Sequence, residues 1–278
     1  MRRIILCILL ALTVVSCSRL VQAERDTSAR ALLDYENGEI VYPLDSYGQS
    51  MEDLRFEIAY SAYLYAECMK PHGYTMPGAS SLQHIPHAVQ FDKIYGQWNV
   101  EKAQKTGLVE RDKPTSSRLE TTADFERIMD ETCIPQVRDQ LNSEEDYQVS
   151  ENAQKLTQEI RNQAYHNASS HPEWKQARSE WWSCLESKGL HPRKGEHEWG
   201  AQEEFNFVSA PELTEAEIEL AVTMAQCSQD TRMAQRLGDL EASYQMPLIR
   251  QHQHELNEAK DAIKKRSERI KKIVLTHQ

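Results

Sequence analysis

Tyr65-Ala66-Glu67-Cys68-Met69-Lys70-Pro71-His72-Gly73-Tyr74 and Trp181-Trp182-Ser183-Cys184-Leu185-Glu186-Ser187-Lys188-Gly189-Leu190 carry one pattern twice. An aromatic stands three positions before a cysteine, an apolar residue follows the cysteine, and a glycine with an apolar neighbour closes the stretch. Pro77 follows the first copy and Pro192 the second, and each copy has one more cysteine downstream, Cys133 and Cys227. Residues three apart share a helix face, and glycine is the usual residue just past a helix end. The repeat therefore reads as a duplicated helical unit with a cysteine in its last turn, shielded by Tyr65 in one copy and Trp181 in the other.

Working outward, helical spacing dominates. Ser50 and Asp53 make a capping-box-like start to a helix whose apolar face is expected at Leu54, Ile58, Ala62, Tyr65 and Met69, with Pro71 and Gly73 ending it. A shorter amphipathic piece is expected around 91–104. Thr121 or Thr122 opens a helix carrying Phe125, Ile128, Met129 and Cys133, which Pro135 ends. Ser143 opens another, to about His166, with Val149, Ala153, Leu156 and Ile160 inward. Asn167 to Pro172 is read as the connector between the units. In the second unit Trp174, Ala177, Trp181, Cys184 and Leu185 line one face. Thr214 and Glu217 form a capping box before Ile218, Ala221, Val222 and Cys227. From Ser228 the pattern continues almost to the end, with a kink or break expected near Pro247. No strand alternation stands out, so the expected fold is all-α: two related disulfide-stapled helical units with long loops and a long C-terminal helix.

The N-terminus reads as a targeting segment. Arg2 and Arg3 precede an apolar run from Ile4 to Val15, shorter than the ~20 residues of a membrane span and suited to a signal peptide. Within residues 1–23 two processing signals overlap. Val14-Val15-Ser16-Cys17 resembles a lipobox, which makes Cys17 the lipid-carrying first residue of the exported chain, and this is the favoured site. Val21-Gln22-Ala23 resembles an ordinary cleavage site and implies a secreted protein instead. Residues 18–45 are expected to be a tether, 46–167 the first helical unit and 168–278 the second.

Export fits the cysteines. Of 6, Cys7 lies in the removed segment and Cys17 is lipidated or removed, leaving Cys68, Cys133, Cys184 and Cys227. An even count in an oxidising compartment points to two disulfides. Four cysteines allow three connectivities, and spacing does not choose among them. Duplication is the added argument for pairing within each unit, Cys68 with Cys133 and Cys184 with Cys227. Loops of that length give each bond roughly 3–4.5 kcal/mol in the chain-entropy picture.

Several of these stretches resemble a known group. Pro43-Leu44-Asp45-x-Tyr47, Cys68-Met69-x-x-x-Gly73-Tyr74, the segment 91–107 and Trp181-x-x-Cys184-Leu185-x-x-x-Gly189 are similar to the exported lipoproteins of unknown function common in actinobacteria. Members share a lipobox, two Cys-Met-type helices and a later partner for each cysteine. Leu185 departs from the usual Met and Leu190 from the usual aromatic, and both stay apolar. The resemblance implies a place and a fold but no reaction.

The formal net charge of −11 at pH 7 argues against general nucleic-acid binding, because phosphates are repelled. The last stretch opposes this balance: Lys260, Lys264, Lys265, Arg266, Arg269, Lys271 and Lys272 stand against Asp261 and Glu268. Such a segment can dock on an anionic lipid or wall polymer, or simply place cations at the negative pole of a helix. The second explains the sign without a partner.

Chemistry-bearing motifs are scarce. The 10 histidines pair poorly for a metal, which needs convergent ligands: His84 with His87, His191 with His197 and His252 with His254. No nucleophile elbow, P-loop or dinucleotide fingerprint occurs. Glu144, Glu145, Glu196 and Glu198 are available for a glycosidase-like pair, yet helix-start and loop roles account for them. The reading assigns no catalytic residue, cofactor or metal. It expects a non-catalytic envelope lipoprotein, anchored to the membrane at Cys17 and serving as an interaction or accessory module for an envelope protein partner. The alternative is an exported binding protein for a small ligand or peptide, using loops 74–113 and 189–211 with Trp98 and Trp199. An envelope hydrolase comes third.

Overall fold

The structure, a computed structural model, describes residues 23–76, 94–108, 121–143, 145–207 and 212–276. The fold is all-α with two disulfides and a long C-terminal helix. The order is a hairpin of β1 (Leu32–Asp34) and β2 (Glu39–Val41), a 3-10 turn (Pro43–Tyr47), then α1 (Met51–Met69), α2 (Val100–Thr106), α3 (Ala123–Ile128), a π-turn (Met129–Cys133) and α4 (Ile134–Asn142). There follow α5 (Glu145–Ser170), α6 (Pro172–Ser187), α7 (Glu215–Asp230), α8 (Met233–Gln251) and α9 (Gln253–Thr276).

The hairpin corrects the sequence reading, which expected no strand and a tether over 18–45. β1 and β2 pair antiparallel with Leu33 opposite Ile40, and Ala31 and Ile40 are buried against α8. Gly238 in α8 makes this possible, since a Cβ there would lie 2.9 Å from that of Ala31. Three-residue strands are too short to reveal a period of two.

Pro247 explains a second contact. It sits inside α8, and the break falls instead at His252, between α8 and α9. A proline within a helix leaves the carbonyl four residues earlier without its donor. That carbonyl belongs to Ser243, and the Asp26 backbone N–H donates to it at 2.7 Å. The N-terminal segment thus supplies the hydrogen bond that Pro247 cannot, and Arg250 adds an ion pair to Asp26 at 2.8 Å.

Pro135 likewise does not end its helix. In the π-turn the Ile134 N–H reaches back five residues to Met129 O, and Pro135 falls at the start of α4, where its missing N–H is tolerated. The expected connector at 167–172 is also helical, because α5 runs through Ser170 and only His171 breaks it, accepting the Glu173 N–H as the cap of α6. Of the piece expected at 91–104 only the end is helical, as α2, residues 94–99 being turn and extended chain, and residues 91–93 lie outside the described residues.

α1 buries only part of the face expected: Met69 is inward and Tyr65 half-buried as read, but the rest of the buried face is rotated. Phe56, Ala59, Tyr60, Leu64, Cys68 and Met69 are inward, while Leu54 and Ile58 are 37% and 46% exposed. Apolar residues lie on more than one side of the helix, so spacing could not choose. Packing does: Phe56, Ala59, Tyr60 and Leu64 meet Val137 of α4 and Ile270 and Val274 of α9. The end of the chain therefore returns to cover the first cysteine helix. The largest cluster joins the hairpin, Tyr95, Trp98 and α2 to α5, α6, α7 and α8.

Candidate functional site

Both disulfides form within their own unit, with Cα–Cα separations of 5.7 Å for Cys68–Cys133 and 5.6 Å for Cys184–Cys227, inside the span that a disulfide bridges. The duplicated pattern acquires a physical meaning at the helix ends. Gly73 and Gly189 take φ of 87° and 80°. Behind them the Tyr74 N–H donates to Met69 O and the Gly73 N–H to Lys70 O, and the Leu190 N–H donates to Leu185 O and the Gly189 N–H to Glu186 O. This is a Schellman motif in duplicate, completed by an apolar contact between its outer residues. Met69 and Tyr74 belong to one apolar cluster, and Leu185 and Leu190 to another. The residue after each cysteine is thus apolar because it joins the same cluster as the residue after each glycine. Trp181 is fully buried beside its cystine, and Tyr65 is half-buried over the other.

The two tryptophan-bearing loops meet, but they pack instead of opening. The Trp199 ring stands edge-on to Tyr95 at 5.3 Å and to Trp174 at 5.9 Å. The agent that closes this loop is Arg178 of α6, which sequence reasoning missed. Its guanidinium donates to the carbonyls of Gly195, Glu196 and Glu198 and lies between the rings of Trp199 and Trp182, at 4.4 and 4.8 Å. Only an arginine offers this fork of donors on a plane that stacks. Trp98, buried, lies elsewhere: it meets the Tyr35 ring at 5.4 Å and lines a cavity of about 350 Å³ beside α7 and α8. Trp199 is not among the residues that line this cavity.

A buried polar chain ties three segments together. The Tyr42 hydroxyl, after β2, donates to the Tyr95 hydroxyl at 2.9 Å, which donates to Glu241 Oε2 of α8 at 2.7 Å. Burial, then the neighbouring Tyr42 and Glu241, push the Tyr95 phenol well above its ordinary value. Glu217 is similarly buried: its N–H reaches the Thr214 hydroxyl as expected, but its carboxylate takes the Leu108 N–H at the end of α2 instead of closing a capping box.

Part of the basic stretch of α9 is engaged by the rest of the molecule, although Lys260 itself stays exposed. Arg266 is buried and pairs with Glu57 at 2.7 Å, and Lys271 meets Asp53 at 3.0 Å and Glu52 at 3.3 Å. Lys260 and Arg269 lie over the rings of Tyr47 and Tyr60. Lys264, Lys265 and Lys272 are exposed. The basic end of α9 thus complements the acidic start of α1, which neither reading of the segment foresaw.

The remaining candidates stay apart. His191 bonds Glu203 at 2.6 Å, His197 stacks on Tyr165, His252 at the break before α9 meets Glu255 and His254 meets Glu258. Among the described residues no three His, Cys, Asp or Glu converge as a metal site. Glu196 and Glu198 are exposed. Cys17, His84, His87 and Glu144 lie outside the described residues, as does the side chain of Glu145. Among the described residues no helix is long and apolar enough to cross a membrane. No protein-family model matches the chain, and no curated protein and no solved structure matches it either.

Proposed function

We propose that the protein is an exported, non-catalytic helical module, carried on the outer side of the cell membrane by a lipid on Cys17 and serving as an accessory to an envelope protein partner. The observation that carries this reading is the pair of cystines, one in each repeat. Such bonds persist in oxidising compartments and are rare in reducing ones. Support also comes from the short apolar run with its positive flank ahead of Cys17, which has the plan of a signal segment. The resemblance to exported actinobacterial lipoproteins points the same way. The closed Arg178 loop and the internally paired α9 favour a preformed body over a reactive cleft.

The test is acyl labelling in the native cell together with mass mapping without reductant. The expected result is labelled protein in the membrane fraction, loss of label in Cys17→Ala, and peptides joined as Cys68–Cys133 and Cys184–Cys227. Unlabelled protein in a soluble fraction with four free thiols would sink the reading.

A further inference from the structure

The cavity beside Trp98 holds two features that the fold leaves unexplained. Leu33, Tyr35 and Trp98 form one wall, and Ser228, Arg232 and Gln235 of the α7–α8 corner form the other. Ser228 is only 2% exposed, yet its hydroxyl has no hydrogen-bond partner. A buried hydroxyl left unpaired is costly, and native structures give such a group a reason. The second feature is Arg232, with φ of 54° and ψ of 30°, the only non-glycine at positive φ among the described residues. A glycine would adopt that corner without strain, whereas a branched or long side chain resists it. Strained residues of this kind cluster at ligand clamps. Arg232 is solvent-exposed, no carboxylate of the described residues pairs with it, and it is the one charged side chain of the lining.

We infer that this cavity is a binding site for a small carboxylate with an aromatic or branched apolar body, the carboxylate on Arg232 and Ser228 and the body against Trp98, Tyr35 and Leu33. Three observations select that class. The volume of about 350 Å³ is at the small end of ligand pockets. An unpaired guanidinium prefers a planar, bidentate anion. A neutral, buried hydroxyl adds one directional contact without a second charge. The larger cavity of about 520 Å³ beside Cys68 has no comparable feature, and its Glu67 already pairs with Lys70. The inference goes beyond the anchored-module reading and stands without it, because binding is measured on purified protein whatever its anchor.

The experiment titrates the full chain, with both disulfides intact, with N-acetyl-L-phenylalanine and indole-3-acetate, and with the neutral amide of each, by calorimetry. The acids are expected to bind and the amides to bind about tenfold more weakly, the ordinary size of one charge-assisted hydrogen bond. Arg232→Gly should erase that preference while keeping or raising the melting temperature of the free protein, because glycine relieves the strain. Ser228→Ala should weaken the acids several-fold and leave the free protein at least as stable. Acids and amides that bind alike, or that fail to bind at millimolar concentration, overturn the inference. So does an Arg232→Gly protein that keeps its preference or is destabilised when empty, since the arginine would then serve the fold.

Discussion

At Gly73 and Gly189 nothing lies within 4 Å of the place where a Cβ would stand. Alanine there meets no clash, and only the positive φ opposes it. Gly73→Ala and Gly189→Ala are each expected to cost about 1–2 kcal/mol, read as a lower denaturation midpoint at unchanged m. Tyr95 is the opposite case, a residue valued for its partners. Tyr95→Phe leaves Glu241 short of a donor and Tyr42 short of an acceptor in a buried site, at a cost of about 1–3 kcal/mol. Equilibrium unfolding would register it, and an unchanged midpoint would mean that the Tyr42–Tyr95–Glu241 chain adds nothing. The glycines were legible in the sequence because a helix end is a local device. The tyrosine chain was not, since its members are 53 and 146 residues apart and no local pattern couples them.

Among elements, the cystines fasten α1 to the π-turn and α6 to α7. Cys184→Ser with Cys227→Ser should lose roughly 4 kcal/mol in the chain-entropy picture, a large share of a typical domain's ~5–15 kcal/mol. Denaturant titration with and without reductant checks it, and a loss below ~1 kcal/mol would contradict the picture. The contact of α1 with α9 has an electrostatic side as well. Burial acts to raise the Asp53 carboxyl, but hydrogen bonds from Ser50 and Lys271 outweigh it, and the net shift is below the ordinary 3.8. The hydrogen bond to Asp53 raises Lys271 above 10.5. The contribution of the pair is therefore complete between those two ordinary values. It is lost as pH falls through the lowered Asp53 value, and again as pH rises through the raised Lys271 value. Lys271→Met should return Asp53 toward 3.8 in a carboxyl NMR titration and cost about 1 kcal/mol or less, since the pair is partly exposed. The existence of these helices was legible from periodicity. The buried face of α1 was not, because a helix with apolar residues on several sides takes its orientation from distant neighbours, Val137, Ile270 and Val274.

Over the whole molecule the first and last parts of the chain interlock: the hairpin rests on α8, and α9 returns to α1. Pro247 shapes a neighbouring contact, that of Asp26, ahead of the hairpin, with α8. In Pro247→Ala a restored N–H competes for Ser243 O, so the Asp26 amide should lose protection against hydrogen exchange while the core of α6 and α7 keeps its own. Equal protection in both proteins would show that the proline has no part in holding this segment. Sequence reading could place a helix break only near the proline itself. It had no means of seeing that the vacated carbonyl would be taken by a residue from the opposite end of the chain. One further effect concerns geometry at the bilayer. Asp26 is pinned to α8, so if Cys17 carries the lipid, only nine links separate the acyl group from a fixed point on the body. Fully drawn out, that leash spans about 30 Å, so the point where Asp26 meets α8 would stay within that distance of the acyl group.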